Sequence, residues 1–261
     1  MKETIVRLKA DISALDRRAV IALIYTAVGL TCIYYFKNVE AVRLFLAGSS
    51  LEDFGHFIAN SHDNNLPALG WWVLIVTIFY LLLPALLIKF VWQAKLKDFG
   101  LRSAIEPGFW KLLAICVIVM LPLVYLMSLT EGFAAKYPFL QIYNGDPYIG
   151  KTLLIWELIY FLQFFGLEFF FRGFLVHSLK PALGLYSIVV MTVPYCMIHF
   201  GKPMPETLSA VLAGIFLGWL SYRNGSIWLG LILHCVVAFS MDIFALLHKG
   251  ILFPMNAGLA N

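Results

Sequence analysis

Successive runs of apolar residues, most of them close to twenty long, restrict this chain to one kind of architecture. The runs fall at residues 19–36, 70–88, 109–129, 153–178, 185–199, 208–222 and 227–247. About 20 apolar residues in helical form cross the hydrocarbon core of a bilayer. Lipid offers backbone amides no hydrogen-bond partner, so a crossing segment must satisfy its own, as an α-helix does. The expectation is an all-α, polytopic transmembrane helix bundle of about 7–8 spans. Composition agrees: 61% of the 261 residues are hydrophobic and 13% charged, whereas a soluble domain carries about a quarter charged residues.

Charge outside the spans predicts topology. Lys89, Lys95, Lys97, Arg102 and Lys111 surround the second connection, Arg172 and Lys180 the fourth, and Arg223 the sixth. The first connection carries Glu40, Glu52, Asp53 and Asp63 against Lys37 and Arg43. Positive residues stay on the cytoplasmic side, which places the N-terminus in the cytoplasm. The first twenty residues are too long and too acidic for the head of a signal peptide, so the first span is expected to remain in the mature protein. A net charge of +4, spread over short loops with no basic stripe, speaks for lipid headgroups and against nucleic acid. Cys32, Cys116, Cys196 and Cys235 lie in apolar runs without paired spacing and read as small buried hydrophobes.

The first connection is long enough for interfacial helices at 39–47 and 51–59. The third, at 130–150, concentrates aromatic and turn residues (Tyr137, Tyr143, Asn144, Gly145, Asp146, Pro147, Tyr148) and reads as an aromatic belt at the membrane surface, with a tethered lid as the other option. The organisation expected is one integral domain in three parts: an N-terminal segment with the first three spans (1–150), a core of later spans (151–248), and a C-terminal tail (249–261).

Function points to Glu168 and Arg172, inside the run Gly166-Leu167-Glu168-Phe169-Phe170-Phe171-Arg172-Gly173. An ionisable group at bilayer depth costs roughly 2.5–3.5 kcal/mol even on lenient insertion scales, so it asks for a reason. Four apart on one helix, with the Glu first, the two face each other in the favourable order. The plainer alternative is mutual neutralisation with Arg172 snorkelling to the headgroups. Glu157, three turns before Glu168, falls on nearly the same side. With Gln163 these residues predict a polar seam facing other helices, while His177 falls on the opposite side and reads as interfacial. Tyr195 and His199 sit one turn apart on the next span, so the phenol is placed to orient or shield the imidazole, and His234 lies in the last span. Counted from the cytoplasmic ends, Glu168, His199 and His234 have comparable depths of about 15–20 Å.

Together these residues resemble the CAAX protease and bacteriocin-processing family, intramembrane endopeptidases of glutamic type that include the Ras-converting enzyme. That family shows Glu-Glu-x-x-x-Arg on one helix, an aromatic-x-x-x-His on the next and His-x-x-x-Asn on a later one. Here Glu168 and Arg172 match the first, Tyr195 and His199 the second, and His234 begins the third. The resemblance spans roughly residues 153–242. Gly214, Gly218 and the stretch Arg223-Asn224-Gly225-Ser226-Ile227-Trp228 add to it. Two positions depart: Leu167 stands in place of the first glutamate and Ala238 in place of the asparagine. Glu206, seven residues after His199, is a candidate replacement carboxylate, with a solvated loop end as the alternative. Asp242, two turns past His234, replaces the amide only if its helix bends.

The resemblance implies a membrane protease, in a bacterial cytoplasmic membrane, that cuts a membrane-anchored protein or peptide. Glu168 with His199 is then expected to activate water, and His234 to stabilise the oxyanion, with Arg172, Tyr195 and Glu206 supporting. No cofactor is implied, although two histidines and a glutamate are also acceptable ligands for a metal such as zinc. Non-enzymatic alternatives are a scaffold or immunity protein that binds a partner helix, motivated by Leu167 and Ala238, and a transporter. No Gly-x-Ser with a suitable His, Gly-x-Gly-Asp or His-Glu-x-x-His points to another protease class, and no inverted repeat supports a transporter.

Overall fold

The computed structural model describes residues 2–60, 62–103, 107–143 and 150–250. The expected turn at Asn144, Gly145, Asp146, Pro147 and Tyr148 and nearly all of the tail lie outside them. The described residues form eleven helices and no strand. We number them α1 (Lys2–Ala14), α2 (Arg17–Phe36), α3 (Val39–Leu46), α4 (Glu52–Ala59), α5 (Leu66–Val91), α6 (Phe109–Ser128), α7 (Glu131–Lys136), α8 (Lys151–Leu183), α9 (Tyr186–Met197), α10 (Met204–Asn224) and α11 (Trp228–His248). Six of these, α2, α5, α6, α8, α10 and α11, are long and apolar enough to cross a membrane. The fifth expected run forms α9, whose 12 residues reach only about 18 Å. The bundle is all-α as expected, and α3 and α4 form where interfacial helices were predicted.

Helix boundaries follow local chemistry. The Asp16 carboxylate caps α2 by accepting from the Ala19 amide at 2.8 Å. Pro205 stands in the first turn of α10, where its missing N–H costs nothing. Gly225 closes that helix in the left-handed conformation at φ 66°. Short α9 ends just before His199, and the chain turns back at Gly201, φ 87°, into α10.

α8 is the axis of the fold. It packs against α5 on one side and α11 on another, while α9 pairs with α10 and α6 with α11. Its middle, Phe169–Leu175, winds as a π-helix and is buried at every position. Such wide turns are uncommon and concentrate at functional sites. Phe169, Phe170, Phe171 and Phe174 fill the core from this segment, with Tyr80 of α5 stacked on Phe170 at 4.8 Å and Trp92 on Phe174 at 5.5 Å. By contrast, the flanks of outer helices expose large apolar side chains, such as Ile118 at 70% in α6. A bilayer, as apolar as those side chains, accounts for them.

The turn at 96–101 wedges against this axis. Gly173 lets it approach, because a Cβ there would stand 2.5 Å from the Phe99 carbonyl oxygen. Gly100, at φ 86°, accepts the Ile227 amide at 3.0 Å and so ties the turn to the start of α11. Gly173→Ala must push rigid backbone apart and is expected to lower stability by about 1–3 kcal/mol. Thermal unfolding of the purified protein in detergent checks this.

Candidate active site

The buried charges sit at the junction of α8, α9 and α11. Glu168 ends the regular part of α8 and Arg172 lies one turn on, within the π-helix. Both are 0% exposed, so the guanidinium does not snorkel to the headgroups. Arg172 Nη1 lies 3.1 Å from Glu168 Oε1, and His234 Nδ1 of α11 lies 2.9 Å from the same oxygen. The Arg172 guanidinium also lies over the Tyr195 ring, with Cζ 3.8 Å from the centroid. Removing one member of such a pair leaves an uncompensated charge in a dry site, at a cost of about 3–5 kcal/mol.

Partners define the tautomers. Glu168 only accepts when ionised, so the proton of His234 belongs on Nδ1. The other nitrogen, Nε2, then accepts from the Tyr195 hydroxyl at 3.1 Å. His199 Nδ1 donates to the Tyr195 carbonyl at 2.8 Å, which leaves its Nε2 as an open acceptor. The sequence placed the Tyr195 phenol on His199. In the structure that hydroxyl reaches His234, while the carbonyl of the same residue holds His199 and the ring lies edge-on to it at 4.8 Å. Tyr195 thus positions both histidines. Phe164 of α8 stacks on His234 at 5.3 Å with an interplanar angle of 10°, and fixes its ring plane.

The site is close-packed yet not saturated. The contacts between Glu168, Arg172 and His234 are short but poorly aligned for hydrogen bonding. Both Glu168 oxygens, His234 Nδ1 and all three guanidinium nitrogens therefore lack a well-directed partner inside the protein. Buried polar atoms are normally satisfied, and a cluster of exceptions marks where a water or a substrate group belongs. Among the described residues, no three His, Cys, Asp or Glu side chains converge as metal ligands would.

The remaining candidates fall elsewhere. Leu167 is 5% exposed and packs into the phenylalanine core, and Ala238 is 3% exposed beside Trp156 and Tyr160. Apolar packing occupies both positions. Glu206, in the first turn of α10, receives the Tyr137 hydroxyl at 2.9 Å and Lys202 Nζ at 2.7 Å. Burial and then the Glu206 carboxylate raise the Tyr137 pKa well above that of an ordinary phenol. Asp242 accepts from the Trp156 indole at 2.7 Å. His177 bonds the Ser221 hydroxyl at 3.2 Å, and that hydroxyl donates to the Arg172 carbonyl at 2.9 Å.

With this geometry in hand, comparison with known families is informative. The model of a family described as "Type II CAAX prenyl endopeptidase Rce1-like" matches residues 149–240. The match supports a likeness of that stretch to the CAAX protease family. It includes Glu168, Arg172, Tyr195, His199 and His234, all the groups gathered at the junction. The Rce1-like family is a protease family, so the match indicates a hydrolase, and its setting in six membrane-length helices makes this an integral, multi-pass membrane protein. No curated protein and no solved structure matches the chain.

One residue of the Rce1-like segment had no visible role in the sequence. Gly230 precedes His234 by one turn, and a Cβ there would collide with the Glu168 carboxylate, its nearest atom being Oε2. No pattern along the chain reveals a glycine required by a side chain 62 positions away. Gly230→Ala is expected to displace Glu168. Because misplacement by about 1 Å can cost about a hundred-fold in rate, proteolytic activity should fall by that order while helix content by circular dichroism stays unchanged.

Proposed function

We propose that this protein is an intramembrane endopeptidase of glutamic type, which hydrolyses a peptide bond in a membrane-associated protein or peptide. The observation that carries the proposal is the fully buried Glu168 carboxylate, with unfilled acceptor sites, beside Arg172 and His234. Water held by Glu168 and the open Nε2 of His199 attacks the scissile carbonyl carbon and gives its proton to one of these bases. His234, braced by Tyr195 and Phe164, lies next to that water and stabilises the oxyanion as the carbonyl opens. Collapse returns the proton to the departing amine, so water is split between the two new termini and no covalent enzyme intermediate forms. Arg172 favours the charged form of Glu168 while the water is bound.

The same reading runs without a metal. A cation at this place would share Glu168 Oε1 with a guanidinium 3.1 Å away, and like charges at that distance repel strongly in a dry site. A second reading, a scaffold that binds a partner helix without cutting it, draws on the apolar side chains at Leu167 and Ala238. We also propose a bacterial cytoplasmic membrane, with the N-terminus in the cytoplasm. Basic groups gather at the end of the bundle where α2 begins: Arg18 lies over the Trp92 ring at 5.1 Å, and Lys180 donates to the Tyr222 carbonyl at 2.8 Å.

Cleavage of membrane-anchored reporter proteins by the purified enzyme tests the activity. Glu168→Gln, His199→Ala and His234→Ala should each lower it by about a hundred-fold or more, with fold retained by gel filtration in detergent. Phenanthroline should leave the wild-type rate unchanged, and inhibition reversed by added zinc would overturn the metal-free mechanism. Reporters that bind but stay intact would instead establish the scaffold.

A further inference from the structure

A second pair of carboxylates is buried between α8 and α11, displaced along both helices from the first. Glu157 is 6% and Asp242 1% exposed. They lie within reach of each other, as two carboxyl groups that would share a hydrogen bond if one held a proton. The Trp156 indole donates to Asp242 Oδ2. Asp242 Oδ1 and both Glu157 oxygens have no partner, and neither does Oε1 of buried Gln163, which lies between Glu157 and Glu168 on α8. Among the described residues, no Lys, Arg or His forms an ion pair with either carboxylate. Three of the pair's four carboxylate oxygens are therefore unfilled acceptors, with no cation beside them among the described residues.

Its walls select the kind of donor. Trp156 and Tyr160 stack on each other at 4.4 Å beside the carboxylates, and Phe139 lies 5.9 Å from Tyr160. Aromatic faces next to carboxylates favour a cation, by the ring quadrupole and by charge together. A guanidinium, planar and forked, matches two carboxylates better than an ammonium does.

The approach is apolar. On the outer side of the α8–α11 seam, an open groove of about 400 Å³ is lined by Phe161, Leu231, Ile232, Cys235, Val236 and Phe239. Leu231 lies about one turn before His234, and Cys235 directly follows it. At the other end, Phe161 lies one turn from Glu157, and Phe239 one turn from Asp242. An apolar segment lying in this groove thus runs from the level of Glu168 and His234 to that of the acid pair. The separation is eight residues on α11 and eleven on α8, or about 12–16 Å. An extended peptide covers that in about four or five residues.

We propose that Glu157 and Asp242 form a recognition subsite for a basic side chain, arginine above lysine, carried about four or five residues from the bond to be cut, in a substrate whose apolar segment lies in the α8–α11 groove. The distance to a cut bond rests on the protease reading, whereas binding of the cation does not.

The test uses the full chain bearing Glu168→Gln, in lipid nanodiscs. Fluorescent single-span peptides carry one arginine at successive positions, each matched by a norleucine peptide, and anisotropy reads binding. At one register the arginine peptide should bind about ten-fold more tightly than its match. Glu157→Gln and Asp242→Asn, added separately, should each erase that preference, and Asp242→Asn keeps an acceptor for Trp156 and so preserves the fold. Equal binding of arginine and norleucine peptides at every register would overturn the subsite and leave a proton-sharing acid pair. A preference that survives both substitutions would overturn it as well. Incubating the same peptides with the unsubstituted protein reads cleavage separately: peptides that bind with the arginine preference but stay intact overturn the protease reading alone.

Discussion

Glu168 and Arg172 are both fully shielded from water and lipid, and each alone would cost several kcal/mol to bury. The rest of the bundle is arranged so that neither is alone. Arg172 reaches Glu168 along the helix and rests on the face of Tyr195, and α11 brings His234 to the same carboxylate oxygen. Three helices are thereby held in register by one charged cluster. Gly230 sets how close α11 can come, and Ser221 of α10 ties the carbonyl of Arg172 from outside. Mutual burial of charge in a membrane gives little net stability. What it provides is specificity, since any slip of these helices strands a charge in a dry interior.

The part of this arrangement legible in the sequence is the part encoded at short range. Apolar runs name helices because lipid permits almost nothing else. Glu168 with Arg172, and Tyr195 with His199, are one turn apart, and helix geometry alone brings such pairs together. The comparable depths of Glu168 and His234 could be counted from the loop charges. Contacts between helices were not legible, because they depend on rotation and tilt. The Tyr195 hydroxyl went to His234 rather than to its neighbour for that reason, and Trp156 found Asp242 86 positions away. The π-helix was hidden too: its residues, Phe-Phe-Phe-Arg-Gly-Phe-Leu, suit an ordinary helix, and the wider turn answers to packing against Tyr80, Trp92 and Phe99.

A ladder of rings connects the two buried polar sites. Trp156, Tyr160 and Phe164 follow each other at one-turn intervals on α8; the first two stack, Phe164 packs tilted against Tyr160, and Phe164 lies parallel to the His234 ring. One end of the ladder holds Asp242 through the indole, and the other fixes the plane of His234. The orientation of the imidazole beside Glu168 is thus continuous, through packed aromatic faces, with the environment of Glu157 and Asp242. This explains why α8 carries so many aromatic residues on a face turned inward: they serve as rigid spacers between polar groups that apolar aliphatic packing would let drift.

The apolar side chains at Leu167 and Ala238 bear directly on how such a site works. Each is apolar where the motif that the sequence resembles has a polar residue, and each is closed by packing rather than left as a cavity. The Glu206 carboxylate is engaged by Tyr137 and Lys202. At the junction of α8, α9 and α11, the Glu168 carboxylate is already paired with a guanidinium and an imidazole. A single buried carboxylate held ionised by Arg172 is a weak base on its own, so proton removal from water needs a second acceptor. The open Nε2 of His199 is such a group. On the proposed protease reading, Glu168 would then supply fixed negative charge and one arm of the water cradle, and the histidine would take part in the proton transfer.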